Sequence, residues 1–189
     1  MTQKLDSQYQ DTLLASERRS LVDPDRVLAL LPLRPYHVVA DIGGGMGAFA
    51  LPLAKYLYDG KLYAVAANEE TLTAAKDRLG KFRFANVEFV KGAEDFLPLP
   101  KISLDGALLA FVLHETTDRK GLLTAAAGLL RRGGWLAVLE WAKQESPEGP
   151  PVDHRLSKEE VRDLASQAGL RFASERSLSS QQYLLLFRL

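Results

Sequence analysis

The sequence predicts an α/β fold: a doubly wound, mostly parallel sheet of seven strands that ends in an antiparallel pair. Three observations carry this expectation. Short apolar, β-branched runs alternate with segments of helical spacing, the pattern of a parallel sheet covered by helices on both faces. A run of glycines stands where the first strand meets its helix. The last two strand-like runs are split only by Ser179-Ser180-Gln181, which leaves room for a hairpin and not for a crossover.

The elements follow in order. Asp23 is an N-cap and Pro24 a first helical residue, opening a short helix packed through Val27, Leu28, Leu30 and Leu31 and closed at Arg34-Pro35. His37 to Ile42 is a buried strand that runs straight into glycines, and Ala48 to Leu57 has helical spacing. Asp59-Gly60 turns into the strand Lys61 to Ala66, and Glu69 to Leu79 is a helix closed by Gly80. Strands Val87 to Val90 and Leu104 to Ala110 come next, then a helix over Asp118 to Leu130. Gly133-Gly134 introduces the strand Trp135 to Trp141, and the loop Ser146 to Val152 leads away from it. Ser157 and Glu160 form a capping box for a helix reaching Ala168. Arg171 to Leu178 and Gln182 to Arg188 are the final strand pair. Residues 1–22 read as an N-terminal arm or lid and residues 23–189 as one domain.

Composition narrows the function. With 47% hydrophobic residues over 189 positions, the chain can bury one substantial core. Lys and Arg number 24 and Asp and Glu number 24, so no net field would hold a phosphate backbone, and a nucleic-acid partner is not expected. Zero cysteines exclude disulfides, zinc-thiolate sites and thiol nucleophiles. No carboxylate cluster announces a metal site. The polar start of the chain lacks a signal-peptide core and no segment approaches a membrane span, so the expectation is an unanchored cytoplasmic protein with no membrane partner. Oligomeric state is not legible.

The glycine loop is the strongest chemical signal. At the end of a buried strand, Asp41-Ile42-Gly43-Gly44-Gly45-Met46-Gly47 lets the backbone turn sharply and brings bare main-chain amides to a ligand of nucleotide type. Gly43, Gly45 and Ala48 also satisfy a dinucleotide pattern, which keeps a nicotinamide or flavin oxidoreductase open as an alternative.

The stretch Val38 to Gly47 resembles motif I of the class I S-adenosylmethionine-dependent methyltransferases. Further segments agree in order: Lys61 to Val65 resembles the family's second strand, and Asn86 to Asp95 with Leu97-Pro98-Leu99-Pro100 its third strand and adenine loop. Leu104 to Glu115 resembles the fourth strand and its exit, and Leu129 to Glu140 the Leu-x-x-Gly-Gly approach to the fifth. The resemblance implies a Rossmann-like fold, S-adenosyl-L-methionine as cofactor and a small-molecule methyl acceptor. It implies that Asp41 orients the loop or meets the methionine ammonium, that Gly43, Gly44, Gly45 and Gly47 approach the methionine half, and that backbone at Ala110 faces it from the other side. The family's ribose-binding carboxylate would stand at position 66, which is Ala66 here; Asn68 or Glu69 could reach the ribose instead. In the adenine loop Ala93 holds the usual acidic place, and Glu94 is the nearest substitute. These two departures leave open a methyltransferase fold with weakened or lost cofactor binding.

Methyl transfer from a sulfonium is an in-line displacement, so the protein mainly aligns reactants and excludes water. A base is needed only where the acceptor must lose a proton, and His114 and His154, backed by Glu140, are the candidates. The acceptor pocket is expected between the ends of the fourth and fifth strands, near His114, Glu140 and Trp141, under the arm. The lack of cysteine excludes the thiolate-dependent arsenic methylation of some similar relatives.

Overall fold

The computed structural model describes residues 22–93 and 97–189. Residues 1–21 of the arm or lid expected over residues 1–22, and Glu94 of the expected adenine loop, lie outside the described residues.

Local chemistry sets the element ends. Helix α1 (Pro24–Leu30) starts at Asp23, whose side chain accepts from the Asp25 N–H. Strand β1 (Val38–Ile42) leads through the glycine turn to α2 (Ala50–Tyr56), and β2 (Lys61–Ala66) to α3 (Glu69–Gly80), capped by Asn68. Then come β3 (Val87–Lys91), β4 (Leu104–Ala110), α4 (Arg119–Leu129), β5 (Leu130–Trp141), a 3-10 turn (Val152–His154), α5 (Lys158–Gln167), β6 (Arg171–Ser177) and β7 (Gln182–Arg188). The Ser157–Glu160 capping box forms in both directions at the start of α5.

The seven strands make one sheet in the order β3-β2-β1-β4-β5-β7-β6, parallel except for β7, which runs antiparallel to both β5 and β6. Strand alternation divides the core. Val39, Leu62, Ala64, Leu108 and Ala110 join the cluster that holds α1, α2 and Leu79 of α3, while Ala40, Tyr63, Val65, Ala107 and Leu109 join the one that holds α4 and α5. Because the order reverses between β1 and β4, the crevice at their carboxyl ends is the place where such a sheet receives a ligand.

Helix α1 ends at Leu30, ahead of Arg34-Pro35, and two element starts also differ from the sequence expectation. Helix α2 begins at Ala50 and not at Ala48, because Gly47 turns with φ +80° and residues 45–49 are spent in turns. Strand β5 begins at Leu130, directly after α4, and carries an irregularity: Leu104 pairs with Leu130, whereas Gly106 pairs with Trp135. Residues 131–134 form the excess, with Gly133 at φ +79° taking the bend.

The amino ends of the strands are pinned by buried Asp105 of β4. It accepts from the Val38 N–H at 2.8 Å and pairs with Arg131. Burial first, then Arg131, Arg34 and Arg188, hold His37 below its ordinary range, so its contact with Asp105 at 3.9 Å involves a neutral ring at pH 7.

Gly106 in β4 is fixed by packing. A β-carbon there would fall 2.0 Å from Cε2 of Trp135, which is itself 1% exposed and has nowhere to move. Gly106→Ala is expected to destabilise the fold by about 1–3 kcal/mol through overpacking, measured by urea denaturation. Trp135→Phe in the same chain should recover part of that loss, and additive effects would contradict the packing explanation.

Candidate cofactor and acceptor site

Asp41 closes β1 with 1% exposure and sits directly beneath the turn: a β-carbon on Gly44 would fall 2.2 Å from its Oδ2. Gly43, Gly45 and Gly47 have φ of +71°, +56° and +80°. Those conformations favour glycine, and the first of them also needs its space, since a β-carbon on Gly43 would lie 2.5 Å from Cγ2 of Val112. The loop is anchored by the Gly43 N–H donating to the Val65 carbonyl at 2.9 Å, and it recloses with the Gly47 N–H on the Gly44 carbonyl at 3.2 Å. Beside it lies a small recess lined by Asp41, Gly44, Gly45, Gly47, Ala66 and Leu72 among others. A cradle of this kind, where any side chain would collide with its own support, fits a ligand taken up by backbone.

The ribose side is built differently. Ala66 ends β2 at 5% exposure, in register with Lys91 of β3. The Asn68 Oδ1 accepts from the Thr71 N–H at 2.8 Å and so is committed to capping α3. Glu69, in the first turn of that helix, is exposed and meets the Lys91 Nζ at 3.5 Å. Glu69 lies three residues before Leu72, which lines the recess, and helical side chains lean toward the N-terminus. Glu69 therefore stands one turn nearer the carboxyl rim of the sheet than Leu72, with its carboxylate on Lys91.

On the other flank, Ala110 ends β4, 2% exposed and paired with Leu139. The chain then turns at Phe111, which takes φ +57° while 7% exposed, with its N–H donating to the Leu139 carbonyl at 2.8 Å. A bulky residue in the left-handed region is uncommon and here reverses the chain at the rim, so that Val112 lands on Gly43. The Thr116 hydroxyl closes this turn on the Val112 carbonyl at 2.8 Å.

His114 and Glu140 are brought together. The His114 Nδ1 and Glu140 Oε2 are 2.8 Å apart, and Glu140 also accepts from the His114 N–H at 3.3 Å and the Trp141 N–H at 3.3 Å. Both side chains are nearly sealed, and the His114 Nε2 lies 3.7 Å from Glu115 Oε1. The pair ties the exit of β4 to the end of β5. Beside it, burial first and then Glu140 push the Tyr183 phenol well up, so it stays protonated and donates to the Leu156 carbonyl at 2.9 Å.

His154 is not part of this cluster; it is exposed on the 3-10 turn. Trp141, expected as a pocket wall, is 2% exposed and covered: Phe111 packs on it with ring centroids 5.5 Å apart, Gly149 abuts it and the Arg155 guanidinium lies 5.5 Å from its centroid. Its bulk is used in packing the rim rather than in facing an open cavity. Reading the sequence did not single out Phe111, Val112, Lys91 or Arg155. Of these only Arg155, a cation set between apolar Val152 and Leu156 just ahead of a helix cap, had a sequence signal that could have marked it.

Among the described residues, no helix is long and apolar enough to cross a membrane. A family model described as a methyltransferase domain matches residues 40–138. The ubiquinone/menaquinone biosynthesis C-methyltransferase UbiE of Teredinibacter turnerae is 32% identical over 121 residues, 63% of this chain and 49% of the relative. The enzyme of that name from a Marinomonas species is 31% identical over 116 residues, 60% of this chain and 46% of its own length. This chain thus spans about half the length of these relatives. A crystal structure of a SAM dependent methyltransferase from Aquifex aeolicus superposes with a TM-score of 0.90 at 29% identity, covering 97% of this chain and 98% of that one. The matched segment runs from β1 through the glycine loop to β5, so the oxidoreductase reading of the same glycines gives way: the chain belongs to the methyltransferase-domain family, with the class I fold and S-adenosylmethionine as its cofactor.

Proposed function

We propose that this chain transfers the methyl group of S-adenosylmethionine to a small-molecule acceptor, with the electron-rich ring carbon of a quinol as the first class to test. The observation that carries the reading is the left-handed glycine turn over buried Asp41, in which Gly43 and Gly44 leave no room for a side chain. The names of the relatives, C-methyltransferases of quinone biosynthesis, support the acceptor class.

Bound over Gly43 to Gly47, S-adenosylmethionine would supply a methyl on a sulfonium, with the neutral thioether S-adenosylhomocysteine as leaving group. The chain's own work is orientation and exclusion of water. Asp41 supports the loop from below and sets its carboxyl on the side where a methionine ammonium would lie. Val112 and Phe111 close the rim between the loop and β5 with apolar surface. Glu140 fixes His114 in place, so that the exit of β4 keeps one geometry beside the acceptor. A quinol carbon held in line with that methyl would accept it, and the proton that the ring must then lose to restore aromaticity would pass to solvent.

Glu69 is assigned the ribose diol: it is the carboxylate one helical turn before Leu72, which lines the recess, whereas Asn68 spends its acceptor on the helix cap and Ala66 has none. Glu69→Gln should weaken S-adenosylhomocysteine binding by about tenfold, the worth of a charge-assisted hydrogen bond. Ala66→Asp in that variant should restore much of it. Calorimetry showing no effect of Glu69→Gln would remove the assignment.

For the reaction itself, the intact chain incubated with S-adenosylmethionine and 1,4-naphthohydroquinone should yield S-adenosylhomocysteine and a ring-methylated product in equal amounts by mass spectrometry. Methylation on oxygen would keep the enzyme class and correct the target atom. Cofactor binding without transfer to any hydroxylated aromatic would overturn the acceptor class.

A further inference from the structure

Arg155 is 2% exposed, a depth at which a guanidinium needs partners for its donors. Its partners are carbonyl oxygens of one loop. Nε donates to Pro150 at 2.8 Å, Nη1 to Gln144 at 2.8 Å and to Ala142 at 3.2 Å, and Nη2 to Glu148 at 2.7 Å. The guanidinium carbon lies over the Trp141 ring, 5.5 Å from its centroid. A planar fork with donors on three nitrogens can gather carbonyls from several directions at once; an ammonium presents all its donors from one atom. Residues 142–151 are therefore wound around a buried cation.

That loop occupies a defined place. It leaves β5 immediately after Glu140 and Trp141, on the carboxyl rim of the sheet. Its outer side is tied to the β6–β7 turn, with the Ala142 N–H donating to the Gln181 carbonyl at 2.7 Å and the Gln144 side chain donating to Ser180. Its inner side abuts Trp141, which touches Phe111. The glycine loop stands at the end of β1, two strands away. A ligand held there and a partner placed beside it toward β5 would meet this loop on the partner's side only.

The geometry points to Arg155 as a positioning residue that shapes loop 142–151 into the acceptor-side wall, and so governs acceptor binding while leaving cofactor binding alone. This rests on the preceding assignment of the acceptor to the β4–β5 side of the rim. Arg155 touches neither reactant; it acts through the carbonyls that it gathers.

The test compares the intact chain with Arg155→Lys and Arg155→Met. Gly149→Ala is the independent variant should the buried substitutions fold poorly: it keeps the cation, but with φ +88° and a new β-carbon 2.8 Å from Trp141 it must displace the same loop. The expected result is S-adenosylhomocysteine affinity within about twofold of the parent by calorimetry. KM for 1,4-naphthohydroquinone should rise roughly tenfold in Arg155→Met and Gly149→Ala, with kcat changed much less, and Arg155→Lys should lie between. Hydrogen exchange in the cofactor-product complex should quicken in residues 142–151 and not in the glycine loop. A lower unfolding temperature with unchanged KM would make Arg155 structural only and overturn the proposal, as would an equal loss of cofactor-product affinity. If the parent binds S-adenosylhomocysteine but methylates no quinol, the acceptor class of the preceding section fails by itself. Unchanged exchange in residues 142–151 would then overturn the role of Arg155 independently.

Discussion

The side chain of Val112 rests on the bare α-carbon of Gly43, so closely that a β-carbon there would fall 2.5 Å from Cγ2. This contact joins the turn after β1 to the turn after β4, the two strands between which the sheet order reverses. It requires glycine on one side and, on the other, a chain bent sharply enough to bring Val112 over the loop. Phe111 supplies that bend in the left-handed region and spends its ring on Trp141. Trp141 in turn supports Gly149 and Arg155. The cofactor loop and the far wall of the rim are thus linked by direct packing, and interiors packed at this density pass small displacements on instead of absorbing them.

The two ends of the sheet divide the labour. At the amino ends, Asp105 gathers the Val38 amide and Arg131 and fixes β1 against β4. At the carboxyl ends the buried polar groups include Asp41, His114 and Glu140, each near the end of a strand or just beyond one. Conformational cost collects there too, at Phe111, a bulky residue held at φ +57°. Strain of this kind is retained where surrounding packing over-determines it, and here both sheet neighbours of β1 are buried strands.

Much of this architecture was legible in the sequence because it is written in local chemistry. Asp23-Pro24 and the Ser157–Glu160 box mark helix starts through their own side chains, and apolar runs alternating with helical spacing mark a sheet covered on both faces. The glycine loop was legible because no other residue tolerates those backbone angles so freely. What escaped were relations between distant residues of ordinary type. Val112 is one valine among many until β4 is placed beside β1. Trp141 looks like a wall when placed at a strand end, and becomes packing once Phe111 and Arg155 cover it. The bulge at residues 131–134 was hidden because Gly133-Gly134 reads equally well as a strand entrance or as a bend within one. Ala66 was seen as a departure at once, but the place of Glu69 relative to the recess required the helix phase set by Leu72.

The central claim is that the glycine turn over Asp41 takes the cofactor through its backbone. Titration calorimetry of the intact chain and of Gly45→Val with S-adenosylhomocysteine tests it most directly, with circular dichroism verifying that the variant remains folded. The account predicts saturable one-site binding to the intact chain and at least about a tenfold loss in Gly45→Val, since a β-branched side chain at φ +56° both strains the turn and fills the approach to its amides. Binding to folded Gly45→Val with undiminished affinity, or no binding to the intact chain, would contradict it.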